Sequence, residues 1–173
     1  MDNLAISVRR ATPDDAAALA ELVNEAYAIE KSFVEGDRTS EEEIAAMTRA
    51  GAGGVFLVLE QAGGLAAAVH LERRGAAAYF GMLSVRPELQ GMGLGKRLVR
   101  IAEAMAEATG ASSMTLRIIN LREELGRWYR SLGYREVGTS PFDHRRAKRP
   151  CHFVDMHKDL AAAAALEAGL GAA

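Results

Sequence analysis

The segment Gln90-Gly91-Met92-Gly93-Leu94-Gly95-Lys96 places a glycine at every second position between two strong patterns. Upstream, Tyr79 to Val85 reads as a strand ended by Arg86-Pro87. Downstream, Leu94, Leu98, Ile101 and Met105 form one apolar stripe, which predicts a helix from Gly93 to about Thr109, stopped by Gly110. A strand feeding a helix through such a loop leaves the first-turn N–H groups unpaired at the positive end of the helix dipole. Glycines let a ligand approach that backbone with no Cβ in the way, and Lys96 and Arg97 add positive charge. A plain turn before a helix explains the glycines as well. A P-loop does not, since no second glycine is followed by Lys and Ser/Thr at the required spacing. A dinucleotide fingerprint fails too, because its glycines belong early in a βαβ unit with an acidic residue about 20 positions on.

The remaining patterns surround this unit with more strands than helices. Ile6, Val8 and Arg10 alternate with polar residues as a first strand. Thr12-Pro13-Asp14-Asp15 then opens a helix carrying Leu19, Leu22, Val23, Ala26 and Tyr27. Ser40-Glu41-Glu42-Glu43 is a capping box for a second short helix running to Gly51. Val55 to Leu59 and Leu65 to Glu72 form a hairpin about the turn Gln61 to Gly64. Met114 to Ile119 is a strand; Leu125, Trp128, Tyr129 and Leu132 mark a helix face stopped by Gly133. Tyr134 to Gly138 and Cys151 to Met156 are the last strands. The order β α α β β β α β α β β predicts a mixed α/β domain over residues 1–160, followed by an alanine-rich tail, 161–173, that forms a weak helix or frays.

Composition narrows the function classes. The chain has 173 residues and a formal net charge of −2, which gives no global attraction to nucleic acid or anionic membrane. Cys151 is the only cysteine, and Met1 to Arg10 lacks a secretory pattern, so a reducing cytoplasm is the expected compartment. No apolar run is long enough to span a bilayer. Cys151 and His152 are adjacent rather than at zinc-ligand spacing, so no metal is expected.

Leu83-Ser84-Val85-Arg86-Pro87-Glu88-Leu89-Gln90-Gly91-Met92-Gly93-Leu94-Gly95 closely resembles the core motif of the GCN5-related N-acetyltransferase (GNAT) family. Gln90, Gly93 and Gly95 fill the family's three fixed positions, and the resemblance extends through the Leu132-Gly133-Tyr134 segment. It implies an acyl-coenzyme-A N-acyltransferase fold, a splayed mixed sheet of about seven strands with helices on both faces. The implied activity is transfer of an acetyl group from acetyl-coenzyme A to a primary amine of a small molecule or peptide. A homodimer is common in the family. A non-catalytic acyl-coenzyme-A sensor would carry the same loop.

The resemblance also implies roles. Gln90, Gly91, Met92, Gly93, Leu94, Gly95 and Lys96 would wrap the pyrophosphate, and the main chain of Leu83, Ser84 and Val85 would pair with the pantetheine arm. Asn120 would bond the pantetheine, although a helix N-cap accounts for it equally. Tyr129 would be the general acid for the departing thiolate, where periodicity alone makes it a core residue. Glu72, with His70 beside it on the same strand face, is the candidate base. The region Glu35 to Glu43, Arg38 included, corresponds to the acceptor pocket. The basic run His144 to Arg149 reads as a solvated loop, with an anionic acceptor or the coenzyme's 3′-phosphate as the alternative; it lacks the interleaved aromatics that stack nucleic-acid bases.

Overall fold

The computed structural model describes residues 5–160; the expected alanine-rich tail lies outside the described residues. In chain order the elements are β1 (Ser7–Arg10), α1 (Ala16–Ala26), α2 (Glu41–Thr48), β2 (Gly54–Gln61), β3 (Gly64–Arg74), β4 (Ala77–Val85), α3 (Leu94–Ala108), β5 (Ser113–Ile119), α4 (Glu123–Ser131), β6 (Arg135–Pro141) and β7 (His152–Asp159). The predicted order of strands and helices holds.

All seven strands form one sheet, ordered β1-β2-β3-β4-β5-β7-β6. The pairings are antiparallel except for β4 with β5, which is parallel. The β2–β3 hairpin turns on Ala62 and Gly63, both at positive φ (53° and 77°), the backbone that suits the sheet's twist in a two-residue turn.

Strand alternation sends side chains to two cores. Phe56, Val58, Ala68 and Met82 pack against α1 and α2, where Leu19, Leu22, Val23 and Ile44 are fully buried. Leu57, Leu59, Val69, Leu71 and Phe80 pack on the other face against α3 and α4, with Leu98, Val99, Ala102 and Tyr129. One helical layer on each face excludes water from both sides of the central strands, which is the main driving force for this arrangement.

The helix ends follow local chemistry. Ser40 accepts a hydrogen bond from the Glu43 N–H at 3.2 Å and opens α2. That helix stops at Thr48, short of Gly51, because Arg49 is already extended. Thr12 precedes a 3-10 turn, Pro13–Asp15, and the Asp15 carboxylate accepts from the Thr12 N–H at 2.8 Å before α1 begins. Gly110 and Gly133, both left-handed, close α3 and α4.

Candidate active site

The parallel β4–β5 pairing lasts only from Ala77–Ser113 to Tyr79–Thr115. Beyond it the two strands diverge, although β4 continues to Val85 and β5 to Ile119. Three residues past the last rung comes Met82, a non-glycine residue at φ 51°, opposite a register irregularity between Ala68 and His70 on β3. Such a backbone costs about 1–2 kcal/mol for a residue with a Cβ. The Ser84 hydroxyl, buried, donates to the Met82 carbonyl at 3.0 Å and helps hold this shape. A cavity of about 480 Å³ fills the gap and is lined from both faces of the sheet.

One end of the cavity is the glycine loop. A 3-10 turn, Pro87–Leu89, follows β4, and the Gln90 side-chain amide reaches back to donate to the Val85 carbonyl at 3.2 Å. Gly91 (φ 79°) and Gly93 (φ 82°) are left-handed, and α3 starts directly after them. The first intrahelical bond runs from Arg97 N–H to the Gly93 carbonyl, so the preceding N–H groups stand open at the helix N-terminus. A Cβ built on Gly91 or Gly93 would meet nothing within 4 Å. Lys96 lines the cavity at this end and, among the described residues, pairs with no carboxylate. The chemistry on offer is anion binding by backbone donors, a helix dipole and a free ammonium.

Tyr129 on α4 forms the floor. Its ring packs against Trp128, Phe80 and Tyr134 at centroid distances of 4.8, 5.9 and 5.8 Å. Its hydroxyl makes no hydrogen bond among the described residues, and the residue lines the cavity. Burial, with Tyr27 and Tyr79 nearby, pushes the phenol well above its ordinary range, so it is held in the protonated, donating form.

Residues 52–136, from the β2–β3 hairpin through α4, match the family model described as an acetyltransferase (GNAT) domain. Over that stretch the chain is similar to the GNAT acetyltransferases. Solved structures agree in fold: yncA of Salmonella typhimurium, solved with its cofactor acetyl-CoA, is 22% identical with a TM-score of 0.70, over 90% of this chain and 94% of that one. The ribosomal-protein-S18-alanine N-acetyltransferase of Escherichia coli is 21% identical with a TM-score of 0.68 over the same shares, 90% and 94%. An N-acetyltransferase of Staphylococcus aureus Mu50 is 16% identical with a TM-score of 0.72, over 90% of this chain and 99% of that one. At these identities the likeness is one of fold. A search of curated proteins by sequence gave no match.

Within the matched stretch the cavity gathers Leu83, Val85, Gln90, Gly91, Gly93, Leu94, Gly95, Lys96 and Tyr129. Met92 points away and is 64% exposed, and Ser84 serves the bulge instead of the cavity wall. Asn120 lies off the cavity lining. Its side-chain oxygen accepts from the His152 N–H at 2.9 Å, which ties β5 to the start of β7, and it caps no helix: the residue preceding α4 is Arg122.

The expected base is not brought to the site. Glu72 faces Tyr79 across the β3–β4 ladder but pairs with Arg74 and does not line the cavity. His70 is buried against Phe56 at 4.8 Å, and a Cβ on Gly54 would sit 2.5 Å from its Nε2. Desolvation there lowers its pKa and keeps the ring neutral, a packing role away from the cavity.

The opposite end of the cavity was largely unexpected from the sequence. Tyr27, Glu30 and Arg38 reach it from the α1–α2 connection, Tyr79 from β4, Arg117 from β5, Arg122 from the turn before α4, and Phe142, His144, Arg145 and Phe153 from the β6–β7 region. The run His144 to Arg149 is therefore not a solvated loop throughout. Glu35 N–H donates to the Arg146 carbonyl and Lys148 N–H to the Phe33 carbonyl, both at 2.9 Å, which straps the run to residues 33–35. Arg145 turns inward to Glu30. The expectation that Arg38 faces this region, and the alternative that the basic run meets an anion, had a foothold in the sequence.

Proposed function

We propose that this protein transfers an acetyl group from acetyl-coenzyme A to a primary amine by direct attack. The observation that carries the reading is a single cavity bounded at one end by the left-handed glycine loop and at the floor by the unpartnered Tyr129 hydroxyl. The residues present fit the cofactor. Gly91 and Gly93 leave open space where a pyrophosphate would lie, Lys96 supplies a cation, and β4 beyond Tyr79 lacks a strand partner on its β5 side. Acetyl-coenzyme A, when bound, supplies a thioester carbonyl and a thiolate leaving group.

In this reading the chain's residues orient, shield and move protons. The helix α3 N-terminus holds the anionic end, and the diverging β4 backbone offers hydrogen bonds along the arm. Tyr129 donates a hydrogen bond to the leaving sulfur. A phenol raised this far above a thiol near 8.5 stabilises the thiolate chiefly as a donor. His144 is the one imidazole among the described residues lining the cavity, and we assign it the proton released by the amine.

Because Glu72 and His70 stand away from the cavity, a coenzyme-binding module without turnover is the second reading. Calorimetric titration with acetyl-coenzyme A, coenzyme A and ATP tests both. Micromolar binding of acetyl-coenzyme A with thiol release on adding an amine supports the transferase. Binding without turnover on any amine selects the module, and no binding of either coenzyme form removes both.

A further inference from the structure

The end of the cavity away from the glycine loop is built for negative charge. Four guanidiniums line the cavity, those of Arg38, Arg117, Arg122 and Arg145, against one carboxylate, Glu30. Glu30 is 5% exposed and already committed: Arg145 reaches it at 2.8 Å and Arg122 at 3.6 Å. Arg117 pairs with Asp155 at 3.3 Å, and Arg122 also meets Glu124.

Two donors remain unused. Arg38 is half-buried, has no carboxylate partner among the described residues, and lies 5.6 Å from the centre of the Tyr27 ring. The Arg145 Nε–H is buried and bonds to nothing among the described residues, although the same guanidinium is fixed by Glu30. A buried guanidinium donor without an acceptor is unfavourable, and an anion seated against it recovers that free energy. The strap of residues 146–148 onto 33–35 anchors the segment that carries Arg145, and the cavity it borders is about 480 Å³, which favours a compact molecule over an extended chain.

We propose that the acceptor is a small primary amine bearing its own anionic group, a carboxylate or phosphonate recognised by Arg38 and the free Nε–H of Arg145. This rests on the acetyl-transfer reading. Tyr27 and Tyr79 flank the anion with phenolic donors. Polyamines and other polycationic amines are disfavoured by the same guanidiniums.

The test is steady-state release of coenzyme A thiol with free amino acids, their carboxamides, aminomethylphosphonate and spermidine, in wild type and Arg38→Gln. Thermal unfolding confirms that the variant folds. The expected result is that wild type prefers the free acids, and that Arg38→Gln lowers the kcat/KM ratio of acid to carboxamide by about tenfold or more. Equal or better turnover of carboxamides or spermidine overturns the proposal and leaves the transferase reading standing. If acetyl-coenzyme A binds by calorimetry but nothing on the panel turns over, the coenzyme-A-loaded protein is titrated with aminomethylphosphonate: binding that is weakened about tenfold in Arg38→Gln supports the anion site, and no binding overturns it. Absence of acetyl-coenzyme A binding overturns the transferase reading itself and this inference with it.

Discussion

Glu30 and Arg145 stand 115 residues apart in the sequence and 2.8 Å apart in the folded chain. The pair joins the turn after α1 to the β6–β7 connection, and with Arg122 on the carboxylate's other side it forms a buried triad at the cavity wall. Glu30→Ala leaves two guanidiniums facing each other without their counter-ion. The expected loss is about 3 kcal/mol of folding stability, measured by urea denaturation. A loss under about 0.5 kcal/mol would mean that the triad is solvated and does not hold the strap.

Tyr129→Phe removes one hydroxyl and keeps the ring that packs against Trp128, Phe80 and Tyr134. Stability should be nearly unchanged, while kcat falls by roughly 100-fold with the KM for acetyl-coenzyme A little altered. Because burial raises this phenol, the wild-type enzyme should show no loss of activity from its ionisation up to about pH 10. Full activity in the variant would end the donor assignment.

Gly93→Val places a branched side chain at φ 82°, where no protein atom lies within 4 Å of the new Cβ. The folded state should survive with a cost of about 1–2 kcal/mol from backbone strain alone. Coenzyme A affinity should drop more than about tenfold, since the added atoms occupy the anion's approach. Gly95→Ala is the contrast: its Cβ would meet Trp128 and Val85 at 3.6 Å, an ordinary contact, so thermal stability should hold. Retained coenzyme A affinity in Gly93→Val would put the pyrophosphate elsewhere.

His144→Ala tests the proton acceptor. Its ring meets Phe153 tilted at 5.2 Å and Phe142 edge-on at 6.5 Å, and its Nδ1 lies 3.5 Å from Asp143. The prediction is a fall in kcat/KM of about tenfold or more with thermal stability nearly unchanged. Unaltered kcat/KM in the variant would assign the proton to solvent.

The Arg9–Asp15 pair, at 2.8 Å, makes the fold sensitive to acid. The hydrogen-bonded guanidinium holds the Asp15 carboxyl down to about 2. A depressed carboxyl stabilises the fold above its unfolded value near 3.9, and that contribution fades as pH falls toward 2. After discounting for the half-exposed Arg9, roughly 1 kcal/mol is at stake. Asp15→Asn should therefore lower stability at pH 7 by about that amount and narrow the gap to wild type at pH 2.5, as read from urea midpoints.

Those parts of the domain that rest on local pattern were legible in the sequence. The run Val55 to Leu59 marked a buried strand, the α3 stripe placed Leu98 in the core, and the glycines marked the loop before α3. The cavity end away from the glycine loop was legible only through Arg38 and the alternative kept for the basic run, because Tyr27, Glu30, Arg122 and Arg145 belong to segments that only the closed sheet brings together. The basic run looked solvated for the same reason: its partner, Glu30, sits in another part of the chain. Glu72 was a plausible base by spacing, yet strand geometry gave it to Arg74.

The short parallel seam between Ala77–Tyr79 and Ser113–Thr115 also bears on how this molecule would be handled. With so few rungs joining the two halves of the sheet, whatever fills the gap acts as mortar as much as cargo. A tightly held occupant should raise the melting temperature in proportion to the logarithm of its concentration and slow amide exchange at Leu83 and Val85. Preparations stripped of that filling would then be softer at the seam than at either outer edge.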